Sequence, residues 1–347
     1  MRPSLRIGYL GFGAYLPPTV LTNHDLEKIV DTTDDWIQRR TGIQERRVLA
    51  KDETILGMAV AAARQAMDDA GVSPEQIGDI RVGVNTWPRF PSLATQLQAE
   101  LGAKNASASD VSAGCTGFVY AVEGAHNKIL VENLCYDRDL VSLVVGVDGL
   151  SHAVDWQDRS TCVLMGDGAG AVILGAVERG GILATYTHAD GRYGDLLYSD
   201  TAFETQWSTN GSGRFSTKQT IARPYLRMDG RKVYSVAVRT MVHDVLHVID
   251  KYNHGNPDPI GLEDINFLYP HQANLRIIES VAKKLDVPLE RVYTNGIVKF
   301  GNTSTASIPI GYLDPQARPE GSRRTGLEID VAFGAGFASG AILRKVV

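Results

Sequence analysis

Cysteine is scarce in this chain: three in 347 residues, at Cys115, Cys135 and Cys162. So sparse and odd a set excludes a disulfide framework and suits a reducing compartment. Positive charge is not in excess. Lys and Arg number 35 against 40 Asp and Glu, a net charge of −5, which is not the basic footprint of a nucleic-acid binder. Long apolar runs are missing. Stretches such as Leu143–Val147 and Ala59–Ala63 fall far short of the ~20 residues needed to span a bilayer. Met1-Arg2-Pro3-Ser4 leads straight into a strand-like segment, without the apolar region of a signal peptide. No Walker or dinucleotide fingerprint is complete, because the Gly-rich runs end in strands and do not open helices. No nucleic-acid partner and no membrane association are expected, and the expected location is cytoplasmic.

What is present is ordinary globular composition, 44% hydrophobic and 22% charged, which excludes disordered, collagen-like and coiled-coil chains. Glycine is the exception, at 35 residues, and favours tight turns and close backbone approach. Strand-like and helix-like segments alternate, the sign of α/β architecture. The spacing predicts helices over Thr54–Ala70, Phe118–Val131, Lys232–Tyr252 and Ala273–Leu285, with strands over Ile80–Val84, Leu140–Val147 and Ile265–Tyr269. Cys162 falls in a strand-like Thr161–Met165. The Gly194–Pro224 stretch has no clear period and reads as loops. Gly166–Leu174 and Phe333–Leu343 are both Gly/Ala-rich turns running into apolar strands. Gly168 and Gly334 are 166 positions apart, which suggests two similar halves, 1–175 and 176–347.

Three segments carry candidate chemistry. Cys115, in Gly114-Cys115-Thr116-Gly117, sits between a strand and a helix, where the helix dipole favours a thiolate. A lone cysteine is otherwise a small buried hydrophobe. His271, in Pro270-His271-Gln272-Ala273-Asn274, lies just beyond a strand, where α/β folds place reactive groups. Asn302, in Gly301-Asn302-Thr303-Ser304, is a helix cap or a neutral hydrogen-bond donor. Together they offer a nucleophile, a proton handler and an amide. The same residue types serve a Cys-His-Asn thiol hydrolase. His243 and His247, at i and i+4, lack a third ligand motif, and no metal is expected.

These segments, with Asp35-Trp36-Ile37, Arg40-Thr41-Gly42-Ile43, Asp158-Arg159, Gly166–Gly170 and Met228-Asp229-Gly230, resemble the β-ketoacyl-acyl-carrier-protein synthase III family from about residue 5 to the C-terminus. The resemblance implies a thiolase fold, α/β, with two similar halves in a five-layer αβαβα arrangement and a homodimer. It implies decarboxylative condensation of an acyl-CoA starter with malonyl-acyl-carrier protein through an acyl-cysteine, with no cofactor beyond the acyl-CoA substrate. A relative acting in a specialised-metabolite pathway, on another donor or acceptor, is the alternative.

The implied roles follow the matched positions. Cys115 is the nucleophile, and His271 and Asn302 complete the triad. The backbone N–H groups of Cys115 and Gly334 form the oxyanion hole. Trp36 and Arg159 hold the CoA adenine, with Arg40, Thr41 and Asn274 also binding substrate. Phe90 reaches across the dimer to bound the partner's acyl pocket. A basic patch of Arg276, Lys283 and Lys284 on the helix after His271 would receive the acidic carrier protein. The sequence departs from the family pattern at Ser339, where a Trp is usual and whose smaller side chain would reshape the pocket. It also has Ser235 where many relatives carry a basic residue.

Overall fold

The computed structural model of the chain describes residues 5–87, 90–199, 203–209, 215–221, 225–319 and 325–347. Met1–Ser4 and parts of the Gly194–Pro224 stretch lie outside the described residues. The first sheet has five strands, ordered β1 (Ile7–Tyr15), β5 (Asp167–Ala176), β4 (Val141–Gly149), β2 (Ile77–Gly83) and β3 (Ser107–Val111). β5 runs antiparallel to both of its neighbours, β1 and β4, and β4, β2 and β3 are mutually parallel. The second sheet repeats the order with β6 (Gly181–Ala189), β9 (Ala338–Val346), β8 (Gly326–Phe333) and β7 (Ile265–Pro270). Again two antiparallel pairs are followed by a parallel one. Among the described residues, an isolated parallel bridge between Leu268 and Val292 stands where a fifth strand would be.

Helices fill three layers around the two sheets. α2 (Ile55–Ala70) and α3 (Leu93–Leu101) cover the outer face of the first sheet. Thr54 caps α2 by accepting the Gly57 N–H, and the buried stripe Ile55, Met58, Ala59, Ala62 and Ala66 faces the strands. α5 (Gly230–Asn253) and α6 (Leu275–Leu285) cover the outer face of the second sheet. Between the sheets lie α4 (Gly117–Tyr136) and the short α7 (Ser307–Gly311). This is the five-layer thiolase arrangement that the motifs implied. The chain crosses from one sheet to the other between Ala176 and Gly181.

Gly170 of β5 lies against Pro309 of α7, and Gly340 of β9 lies against Val119 of α4. Matching these two topologically equivalent positions puts the internal echo at 170 residues, four away from the Gly168–Gly334 alignment. Two other readings are corrected. Thr161–Met165 is a series of turns ending in a bridge from Met165 to Asn302. The Gly194–Pro224 stretch contains a two-stranded ribbon, Phe203–Thr209 against Phe215–Ile221, and Leu197–Ser199, which pairs with Leu226–Met228. Such short two-stranded pairings are set by partner contacts and leave little periodic trace.

The second half also buries charge. Arg344 contacts Glu328 and Asp330, Arg318 contacts Glu328, and both guanidinium groups lie over rings of Phe267, Tyr269 or Tyr312. Among the described residues, no helix is long and apolar enough to cross a membrane, and no group of three or more His, Cys, Asp or Glu could hold a metal ion. His243 and His247 instead pack with Tyr186.

Candidate active site

A cavity of about 1080 Å³ opens where the strand ends of both halves meet the central helices, and Cys115, His271 and Asn302 all line it. Cys115 occupies the turn between β3 and α4. Gly114 takes φ +55°, and a Cβ there would stand 2.3 Å from the Ala335 nitrogen. A Cβ on Gly334 would in turn stand 2.4 Å from the Cys115 nitrogen. Two loops from opposite halves thus pack backbone against backbone, which only glycine permits. The Thr116 hydroxyl ties the turn to β9 by donating to the Ala338 carbonyl at 2.7 Å. Burial pushes the Cys115 thiol up to about 12. The Ser304 hydroxyl opposes that shift and the Asp148 charge adds to it. Burial thus favours the thiol and opposes the thiolate that the helix start favours.

His271 continues β7, its N–H donating to the Val331 carbonyl at 2.8 Å. Burial lowers its imidazole to about 3, so the ring is neutral. Nδ1 lies 2.7 Å from Ser307 Oγ, which also accepts the Gln272 N–H at 3.3 Å. On that network we assign Ser307 as donor to Nδ1, which leaves the ring proton on Nε2. Asn302 is locked at its backbone, donating to the Leu164 carbonyl at 2.8 Å and accepting from Gly166 at 2.9 Å. Its Oδ1 accepts the Ser304 N–H at 2.9 Å, so the amide NH₂ is the end left for the cavity. The histidine and the asparagine are thereby both presented as neutral donors.

A buried carboxylate organises the loop behind the thiol. Asp148, at the end of β4, accepts from the Asn85 N–H at 2.8 Å and the Thr86 N–H at 3.0 Å. It also accepts from the Thr86 hydroxyl at 2.9 Å, Asn85 Nδ2 at 3.1 Å and the Thr305 hydroxyl at 3.1 Å. Motif reading missed Asn85, Thr86, Asp148 and Ser307. The one available signal was an acid closing the otherwise apolar strand Val141–Val147.

A model described as 3-oxoacyl-[acyl-carrier-protein (ACP)] synthase III matches residues 109–191, and its C-terminal counterpart matches residues 258–346. A β-ketoacyl-[acyl-carrier-protein] synthase III from Alkalilimnicola ehrlichii is 44% identical over 338 residues, covering 96% of this chain and 97% of the relative. The chain belongs to the 3-oxoacyl-[acyl-carrier-protein] synthase III family. The crystal structure of the synthase III from Aquifex aeolicus superposes with a TM-score of 0.83 at 42% identity, covering 99% of this chain and all of that one. The priming β-ketosynthase of the R1128 polyketide pathway gives 0.79 at 31% identity, covering 99% of this chain and 98% of that one.

Gly334 does not present an oxyanion donor, because its N–H is taken by the Ala338 carbonyl at 2.8 Å. The next residue, Ala335, lines the cavity and abuts the Gly114–Cys115 turn. The Arg159 guanidinium lies directly over the Trp36 ring, 5.2 Å from its centroid. An intervening base needs roughly 7 Å, two carbon contact distances, so this pair has to part to admit one. Arg40 and Thr41 close α1 (Asp34–Thr41) and line the cavity. Asn274 also lines it, but its amide caps α6 and binds the Arg40 carbonyl. Arg276, Lys283 and Lys284 are all exposed, with Glu279 exposed between them, and of the three only Arg276 reaches the cavity. Phe90 is fully exposed. Ser339 is buried beside Asp244 under α5 and does not line the cavity. It therefore does not reshape the cavity, and the expectation that it would is corrected.

Proposed function

We propose that this chain catalyses decarboxylative condensation of an acyl-CoA starter with malonyl-acyl-carrier protein, giving a 3-oxoacyl-acyl-carrier protein and initiating fatty-acid synthesis. The observation that carries the reading is the pair of neutral donors, His271 Nε2–H and the Asn302 amide, in the cavity that holds Cys115. In the first half-reaction the Cys115 sulfur attacks the acyl carbon, the bond to the CoA sulfur breaks, and the thiol proton leaves with CoA. Negative charge on the tetrahedral oxygen falls to backbone donors. We assign these to the N–H groups of Cys115 and Ala335. In the second half-reaction malonyl thioester loses CO₂. The enolate oxygen is held by His271 and Asn302, which have no acidic proton to give it. The new carbanion then attacks the acyl carbon and Cys115 departs.

The surroundings support the partners implied by the family. Arg40, Arg159 and Arg276 at the cavity suit the phosphates of CoA and of the carrier protein's prosthetic arm. Lys283 and Lys284 extend the basic side of α6 toward an acidic carrier. An exposed Phe90 ring and the edge position of β3 favour a homodimer built across that edge. The division into halves 1–175 and 176–347, and a cytoplasmic location, belong to the same reading.

Intact-protein mass measurement after incubation with a panel of acyl-CoAs tests the first step. A single acyl adduct is expected, absent in Cys115→Ala. Adding malonyl-acyl-carrier protein to the isolated adduct should release CO₂ and discharge the acyl group. Discharge to water with no CO₂ would replace condensation by thioester hydrolysis.

A further inference from the structure

The loop ahead of α7 holds a hydroxyl that the reaction above does not use. Ser304 adopts φ +52°, a left-handed conformation uncommon for a side chain with a Cβ. In that conformation its Oγ lies 3.4 Å from Cys115 Sγ in donor geometry. Oγ itself accepts from Asn85 Nδ2 at 3.4 Å, and the same Nδ2 lies 3.1 Å from both Gly114 O and Asp148 Oδ2. Nδ2 has two hydrogens, which its two 3.1 Å acceptors share with Oγ, and the Ser304 hydroxyl directs its own proton to the sulfur. Ser304 is buried, at 2% exposure, and lines the cavity beside the thiol.

We propose that Ser304 is a further group in contact with the reacting atoms, a hydrogen-bond donor that stabilises the Cys115 sulfur whenever it carries negative charge. An O–H···S contact is weak for a neutral thiol and becomes charge-assisted for a thiolate. Resting on the condensation reading, that charge builds up twice: as Cys115 attacks the starter, and again as its S–C bond breaks and the electron pair returns to sulfur. The Ser304 O–H bond stays intact throughout. Solvent supplies the proton that restores the thiol. The titratable groups facing the sulfur are Asp148, behind Asn85 at the end of β4, and the neutral His271 after β7. Neither provides positive charge, so an anion there is held by neutral donors and by the start of α4.

The test reads the free enzyme, so it stands apart from any failure of the condensation assay. In a Cys135→Ser background, which removes the exposed cysteine, alkylation of Cys115 by iodoacetamide is followed against pH. Ser304→Ala and Ser304→Gly both delete the hydroxyl, and glycine accepts the left-handed backbone without strain. Both are expected to alkylate about ten-fold more slowly below pH 9, with the rate–pH curve displaced upward by about one unit, the weight of one charge-assisted hydrogen bond. If either variant, folded by its melting curve, keeps the parent's rate and pH dependence, Ser304 only shapes the loop and the proposal is overturned. Should Ser304→Ala fail to fold, Ser304→Gly decides alone.

Discussion

The loop ahead of α4 and the loop ahead of α7 occupy matching places in a duplicated framework, and they have been given opposite tasks. The first presents sulfur, the one group at the site that forms and breaks a covalent bond in the proposed reaction. The second presents the Asn302 amide, which only donates a hydrogen bond. The strand-end loops beside them differ in the same way. After β7 comes His271, a neutral ring aimed at the cavity. After β2 come Asn85 and Thr86, which turn back to serve Asp148. Matching Gly170 with Gly340 places Asp148 opposite Gly334, since Val147 pairs with Ala169 as Phe333 pairs with Ser339. One half anchors its loop with a buried carboxylate and five strong hydrogen bonds. The other has Gly334 at that position and holds its loop through Ser307 and the buried Gln272 side chain, which donates to the Pro270 and Tyr293 carbonyls and accepts the Ile297 N–H. The repeated strand order supplies matching positions, and the side chains divide the labour between holding and reacting.

The sharpest break of this comparison removes a donor from the second half. His271→Ala and Asn302→Ala should each lower condensation by about 10²–10³-fold, the usual weight of one oxyanion donor. Acylation of Cys115 should stay within a few-fold, as read by adduct mass against CO₂ release. Asn302→Asp should fall below Asn302→Ala, because a carboxylate repels the enolate. Next in size is Gly334→Ala. Its methyl would stand 2.4 Å from the Cys115 nitrogen, and displacement on the ångström scale costs about 10²-fold, here in the acylation step. In the first half, Asp148→Asn turns one acceptor into a donor facing other donors. It should cost about 2 kcal/mol of stability in denaturant titration, with much less effect on whichever chemistry survives.

The smallest expected change is with pH. Because burial holds His271 near 3, the single-turnover condensation rate should show no inflection near pH 6.5. Stability follows by linkage. The unfolded histidine binds a proton below about 6.5 and the folded one does not. Its contribution is therefore intact above that pH and is lost as pH falls toward 3. His271→Ala should show a correspondingly shallower acid slope. An inflection near 6.5 in the rate would mean that the ring is charged during turnover.

His271 could be read from the chain because it closes the apolar strand Ile265–Pro270, Cys115 and Asn302 because each follows a glycine in a short polar loop, and the motifs fixed their order. The layers followed from alternation of period. Other features needed coordinates. Gly334, Ala335 and Gly336 form a run with no phase, and only the bond from Gly334 to Ala338 shows which N–H is already spent. Ser339 was read as a pocket position, yet strand alternation along β9 turns it toward α5. Cys162-Val163-Leu164-Met165 is apolar without a period, which fits a buried turn as well as a strand. The carboxylate of Asp148 gathers its donors from residues 85, 86 and 305, a convergence that no local pattern records.

The contact of Gly114 with Ala335, and of Gly334 with Cys115, has a bearing on how such proteins diverge. At this seam the spacing between the two halves is set by two hydrogen atoms. Grafting the segment after Ala176 from one relative onto another should preserve the alignment of sulfur and imidazole only while both of those hydrogens are kept. A methyl group on either side would force the grafted half away from the thiol that it has to serve.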